Sequence, residues 1–198
     1  MKKKMLFGLG LLAAIFSGCV LQSIHPLFEE KDYIRYPALA GTWTQKDGDK
    51  ELGLWVFEPA DKRFKLTQTD EKGRKAVFVV AAGKIGTNTF LDFFPDLDEG
   101  DQLPGHHLND FIAAEMIPAH VFVKLVKTNE ALTLIAVDME WLAKNLEQNP
   151  KSIAHIVQDK RPIFTASTDE LQKWVAKYAD DEKVFKNDIQ LIRKKTAQ

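Results

Sequence analysis

The middle of the chain is a series of short segments in which apolar and polar residues alternate, joined by links of hairpin length. In Arg63–Thr69, Phe64 and Leu66 share one face. Two longer segments, Ala119–Lys127 and Glu130–Met139, are only two residues apart. A period of two is typical of half-buried strands, and links this short favour antiparallel neighbours. The pattern predicts about eight short strands in a mainly β fold, an antiparallel barrel or a strongly curved sheet.

The C-terminal part of the sequence contains the clearest helix signal. Ser167 and Glu170 have the spacing of a capping box. Apolar residues then recur at helical spacing: Leu171, Trp174, Val175 and Tyr178. The pattern predicts an amphipathic helix that lies across the sheet or at one end of the barrel. A shorter helix is predicted over residues 139–148, and a weaker one over 181–195.

The start of the first predicted strand, Gly41-Thr42-Trp43, resembles the Gly-x-Trp motif of lipocalins. In that family the tryptophan closes the base of the barrel beneath an arginine from near the last strand. The resemblance implies a lipocalin-like barrel and assigns the arginine's place to Arg161. The family's Thr-Asp-Tyr motif is absent, since Glu71 follows Thr69-Asp70. Another mainly β sheet packed by helices remains open.

The N-terminus has the pattern of a secretory signal peptide. Lys2, Lys3 and Lys4 precede an uncharged run from Met5 to Leu21. The run contains Phe16-Ser17-Gly18-Cys19, which resembles the lipobox of bacterial lipoproteins. The resemblance implies cleavage before Cys19 and a diacylglycerol on its thiol. A plain signal peptide or an uncleaved anchor is the alternative.

This resemblance divides the chain into a signal peptide (1–18), a lipidated tether (19–38) and one β-rich globular domain with C-terminal helices (39–198). It also implies attachment to the membrane of a bacterial cell envelope through the lipid on Cys19. Val20 follows that cysteine where an aspartate would favour the inner membrane. In a Gram-negative host the expected location is therefore the periplasmic face of the outer membrane.

Charge and cysteine content restrict the partners and the sources of stability. Cleavage leaves 24 basic and 28 acidic residues, a net charge of −4, so nucleic acid is an unexpected partner. Cys19 is the single cysteine, so no disulfide can form within the chain. The hydrophobic core must hold the fold alone.

Several predicted strands carry large aromatic residues on both faces, more than a barrel with one solvated face requires. Some of them are expected to line an internal cavity for an apolar small molecule or lipid. The candidates are Trp43, Trp55, Phe57, Phe90 and Phe122. The alternative is that these residues form a packed core beneath the C-terminal helix.

An acidic loop suggests a weak metal site. His106 and His107 follow Asp96 and Asp98, and imidazole with carboxylate can bind divalent ions. A solvated acidic loop without metal is the alternative, and no cofactor is predicted.

No catalytic signature is present: the hydrolase elbow, the phosphate loop and the dinucleotide fingerprint are all missing. His120 shares a strand face with Phe122 and is expected to be structural. Whether two carboxylates such as Asp92 and Asp138 lie close enough to act as a catalytic pair depends on the distance between them, which the sequence does not give. We therefore expect that the protein is not an enzyme.

The leading hypothesis is that the protein binds an apolar small molecule or lipid, which needs a cavity. The second is a structural or assembly lipoprotein in an envelope protein complex, with a filled interior.

Overall fold

The structure is a computed structural model that describes residues 20–48, 50–96, 117–128 and 130–194. The described residues form these strands: β1 (Gln22–Ser23), β2 (Gly41–Asp47), β3 (Lys50–Ala60), β4 (Arg63–Asp70), β5 (Lys75–Ile85), β6 (Asn88–Pro95), β7 (His120–Lys127), β8 (Ala131–Val137), β9 (His155–Gln158), β10 (Arg161–Phe164) and β11 (Phe185–Arg193). The helices are α1 (Met139–Gln148) and α2 (Thr168–Tyr178), with short 3-10 turns at Glu30–Asp32 and Pro37–Leu39.

Eight of these strands form a closed antiparallel barrel. Strands β2 to β8 pair in sequence order, and β11 then pairs with both β8 and β2. The prediction of a mainly β, lipocalin-like barrel with an amphipathic helix is confirmed. Closure satisfies the backbone groups that an open sheet would leave unpaired at its edges.

The strand β11 lies where a weak helix was predicted over residues 181–195, so that prediction is wrong. Phe185, Ile189 and Leu191 are buried, with exposed residues between them, a spacing closer to a strand than to a helix. The decisive influence is tertiary, because β2 and β8 each offer a free edge that only one further strand can fill. Pairing with neighbours overrides a weak local preference.

The barrel interior is a continuous apolar core to which all eight strands contribute. Its largest side chains are Trp43, Trp55 and Phe57, each no more than 1% exposed. Strand alternation supplies the rest: Phe64, Leu66, Val80, Ala82, Leu91, Phe93, Val123, Leu125, Leu132, Leu134, Ala136, Ile189 and Leu191. Leu39, from the 3-10 turn before β2, joins this cluster. The interior is thus a hydrophobic core of ordinary composition.

Residues 138–184 are an insertion between β8 and β11, and they pack in a second apolar cluster. Asp138 caps the start of α1: its Oδ1 accepts the N–H groups of Glu140 and Trp141 at 2.9 Å. Ser167 caps the start of α2: its N–H donates to Glu170 Oε2 at 3.0 Å and its hydroxyl donates to the same oxygen at 2.9 Å. These two hydrogen bonds from Ser167 lower the pKa of the Glu170 carboxyl. Both helices lie where the sequence predicts them.

The segment before β2 is part of the fold. Leu21, Leu27 and Phe28 are at most 2% exposed and belong to the second cluster. Strand β1 pairs antiparallel with β7 and parallel with β10, which in turn pairs with the edge strand β9. The described part of the predicted tether, residues 20–38, therefore packs against the rest of the fold, and the three-part division of the chain stays a prediction. The alternation rule missed this segment because its residues pack individually rather than as a long strand.

We predict that Gly83 and Phe28 are energetically coupled. A Cβ added at Gly83 would lie 2.4 Å from the Phe28 ring, so Gly83→Ala should lower the free energy of unfolding by about 1–3 kcal/mol. In a Phe28→Ala background the same change should be neutral or slightly stabilising, because only its effect on the unfolded chain remains. Urea unfolding followed by tryptophan fluorescence measures both. Equal losses in the two backgrounds would contradict the packing of this segment.

Candidate functional site

The five aromatic residues predicted to line a ligand cavity do not share one site. Trp43, Trp55 and Phe57 lie in the barrel interior, whereas Phe90 and Phe122 belong to the second cluster, with the residues of α1 and α2. Both of the latter are fully buried. Sequence alternation finds buried aromatics but cannot tell which of two buried faces each one occupies.

The interior aromatics pack against one another. Trp55 and Phe57 stack with ring centroids 6.2 Å apart, and Phe93 meets Trp55 edge-on at 6.4 Å. The indole N–H of Trp55 donates to Gln45 Oε1 at 3.3 Å, which satisfies a buried polar group. These side chains are therefore occupied by contacts within the protein.

Among the described residues, the cavity that borders the interior cluster is small. The cavity beside Trp55 has a volume of about 10 Å³, roughly one water-sized probe. Its walls are apolar: Val20, Trp55, Phe93, Val121, Val123, Leu134, Ala136 and Ile189. Val20, just before β1, is one of these wall residues, so the segment before β2 also borders the barrel interior. A small-molecule site typically needs at least about 300 Å³.

Trp43 lies beneath an arginine, as the lipocalin resemblance implies, but the arginine is Arg193 rather than Arg161. The Arg193 guanidinium lies 4.4 Å from the centre of the Trp43 ring, and its Nη2 donates to Ala38 O at 3.1 Å. The indole N–H of Trp43 donates to Leu39 O at 2.8 Å. Arg161 is exposed at the start of β10, opposite Gln158. Because the strand that closes the barrel was predicted as a helix, its arginine was missed.

We predict that the two arginines differ in their contribution to stability. Arg193→Ala removes a cation–π contact and a hydrogen bond, so it should lower the free energy of unfolding by about 1–2 kcal/mol. Arg161→Ala is the matched control and should change it by less than about 0.5 kcal/mol, because that side chain is exposed. Chemical denaturation of both variants tests this. A larger loss for Arg161→Ala would contradict the assignment.

The most prominent buried polar group is Asp92, which is 3% exposed. Its Oδ1 lies 3.0 Å from His120 Nδ1, and its Oδ2 accepts the backbone N–H of Leu27 at 2.8 Å. The His120 ring packs against Phe94, with centroids 4.5 Å apart. Burial raises the pKa of Tyr33; the positive charge of Arg63 partly opposes this rise, and the charge of Asp92 adds to it. The carboxylate thus ties the segment before β2 to the barrel wall.

A histidine held by a carboxylate through Nδ1 is also the geometry of a general base. The hydroxyl residue opposite His120 in the β1–β7 pairing is Ser23. Ser23 is fully buried, however, and its Oγ donates to His25 O at 2.8 Å. Asp138, the carboxylate that the sequence analysis named beside Asp92 as an example pair, caps the start of α1. These contacts favour a structural role for the Asp92–His120 pair.

A surface groove of about 380 Å³ lies where α1 and α2 end. Its lining is Asn149, Pro150, Lys151, Ser152, Lys177 and Tyr178. Helix C-termini carry partial negative charge, which nearby lysines offset. Lys177 also lies over the Tyr178 ring at 4.8 Å. Sequence reasoning missed the groove because only the fold brings the two helix ends together.

Of the predicted metal ligands, only Asp96 lies within the described residues. Its backbone N–H donates to Val77 O at 3.0 Å. Asp98, His106 and His107 lie outside them, so the metal prediction stays a prediction. Within the described ranges, no three His, Cys, Asp or Glu side chains are grouped as a metal ion would require.

No protein family, curated protein or solved structure shows significant similarity to the chain.

In the part of the chain that the structure describes, no helix is both long and apolar enough to cross a bilayer.

Proposed function

We propose that this protein is a lipid-anchored accessory protein of the bacterial cell envelope, without catalytic activity, that acts within an envelope protein complex. The observation that carries the proposal is the filled barrel. A cavity of about 10 Å³ is far below the space that a bound small molecule occupies. A solid barrel is suited to presenting its outer surface to other molecules.

Two further observations support a non-enzymatic role. The carboxylate of Asp92 is used by His120 and Leu27, and the Ser23 hydroxyl is buried and bonded. A general base needs a reachable proton on a substrate or nucleophile. The groups around the Asp92–His120 pair are instead engaged in packing and hydrogen bonds within the protein.

The proposed address comes from the N-terminal sequence. The basic start, the apolar run and Phe16-Ser17-Gly18-Cys19 together resemble a lipoprotein signal. Diacylglycerol on Cys19, joined by an amide-linked chain, would anchor the protein stably, because each buried methylene contributes about 0.8 kcal/mol. Val20 in place of aspartate favours the outer membrane of a Gram-negative host.

A carrier of apolar ligands is the competing proposal, and one structural feature defines what it would require. Val20 and seven barrel residues enclose the small apolar cavity. Binding a lipid there would require Val20 to withdraw together with Leu21, which is 2% exposed. The cost of exposing these packed side chains favours the accessory role.

We predict that the native host holds this protein in a defined complex that depends on Cys19. In whole cells treated with an amine-reactive crosslinker, this protein should form one discrete crosslinked species of higher mass. Repeated experiments should identify the same envelope protein as its partner. Intact mass should show the wild-type chain beginning at Cys19 and carrying lipid. Cys19→Ser should remove both the lipid and the crosslinked species, because the protein is no longer held at the membrane.

The matched control is Phe16→Leu, which moves the sequence towards the usual lipobox and should preserve lipid and complex alike. An unmodified Cys19 in the wild-type protein would contradict the anchor. A lipidated protein that crosslinks only as a monomer would contradict the accessory role.

A further inference from the structure

Very few residues separate Cys19, the proposed site of the lipid anchor, from the part of the chain that is packed in the fold. Leu21 is 2% exposed, and Gln22 and Ser23 pair with strands on both sides. Cys19 is joined directly to Val20, and consecutive Cα atoms are about 3.8 Å apart. If Cys19 carries the lipid, as the proposed function requires, the surface around Val20 must lie close to the bilayer.

The register of β1 identifies that surface. Gln22 lies opposite Ile163 in a parallel pairing with β10. Because this pairing is parallel, residues before Gln22 approach from the end of β10 that follows the β9–β10 turn. We call this β9–β10 hairpin the anchor hairpin (residues 155–164).

The turn of the anchor hairpin has an unusual backbone. Asp159 and Lys160 have φ values of 49° and 65°, a region that non-glycine residues seldom adopt. Positive φ at both central residues matches the type I′ turn that suits a twisted two-residue hairpin. The turn therefore presents Lys160 and Arg161 at a defined tip, at the end of β10 from which the chain approaches β1.

The chemistry of the anchor hairpin is apolar and basic. Ile156 and Val157 are 51% and 63% exposed, on a strand whose outer edge pairs with no other described strand. Lys160 and Arg161 are exposed at the tip, and Asp159 is the acidic residue between them and β9. This combination contrasts with the net charge of −4 that the cleaved chain carries. Apolar side chains beside basic ones favour an anionic lipid surface.

We propose that the anchor hairpin rests edge-on against the bilayer beside the lipid on Cys19. Ile156 and Val157 project from opposite faces of β9, so an edge-on contact brings both into the interfacial region. Lys160 and Arg161 then meet the phosphates of anionic phospholipids. The exposed edge of β9 is covered by headgroups and water rather than by a strand of another protein.

The test uses the absence of any second cysteine. With the Cys19 thiol occupied by lipid, Val157→Cys supplies the single free thiol of the lipidated full-length mature protein, which an environment-sensitive fluorophore can label. The matched control is Ala60→Cys, since Ala60 is exposed at the end of β3, which lies across the barrel from β7 in the order of paired strands. Both proteins are reconstituted in vesicles of phosphatidylethanolamine and phosphatidylglycerol.

The label at position 157 should be quenched by brominated acyl chains at least about twofold more than the label at position 60, because only the former enters the interface. Adding Lys160→Glu and Arg161→Glu should reduce quenching at position 157 to the control value. The matched reversal Lys72→Glu with Lys75→Glu, at exposed lysines around the β4–β5 turn, should leave it unchanged.

Three results would overturn the proposal. Equal quenching at the two positions in protein whose mass shows lipid on Cys19 overturns the hairpin contact and leaves the anchored accessory role intact. A blue-shifted label at position 157 that bromine does not quench shows that protein covers the edge. An unmodified Cys19 overturns both this inference and the proposed function.

Discussion

The pairing of β11 with both β2 and β8 is the constraint on which the rest of the structure depends. It closes the barrel and so removes the open edges of the main sheet. It also brings Arg193 over Trp43 and closes one side of the apolar interior. Because β11 comes last, residues 138–184 must fold outside the barrel, where their helices share an apolar cluster with Phe90 and Phe122. The filled barrel core and the covering of the barrel wall by residues 138–184 therefore both follow from the pairing of β11.

Local sequence patterns were sufficient for much of the barrel wall. Alternation in Arg63–Thr69 locates β4, and the two-residue link after Lys127 locates the β7–β8 hairpin. The capping residues Ser167 and Asp138 mark the starts of α2 and α1. In each case the signal and the structure depend on the same few neighbouring residues. Such signals survive because tertiary contacts agree with them.

Features that depend on distant contacts could not be predicted in this way. The strand β11 is set by two free edges far away in sequence, and Arg193 is placed over Trp43 only once that strand forms. Leu27 and Phe28 show no periodicity, yet Asp92 and Gly83 hold them against the barrel. Whether Trp55 lines a cavity or fills one depends on the total side-chain volume inside the barrel, which no local pattern reports.

The central claim is that the barrel is solid, and native mass spectrometry tests it most directly. Cys19→Ser protein should be exported to the periplasm of its own host, so that any natural ligand has been available, and then measured under gentle and unfolding conditions. Our account predicts the bare mass of the chain in both. A reproducible extra mass of lipid or small-molecule size that departs on unfolding would contradict it and would establish the barrel as a carrier.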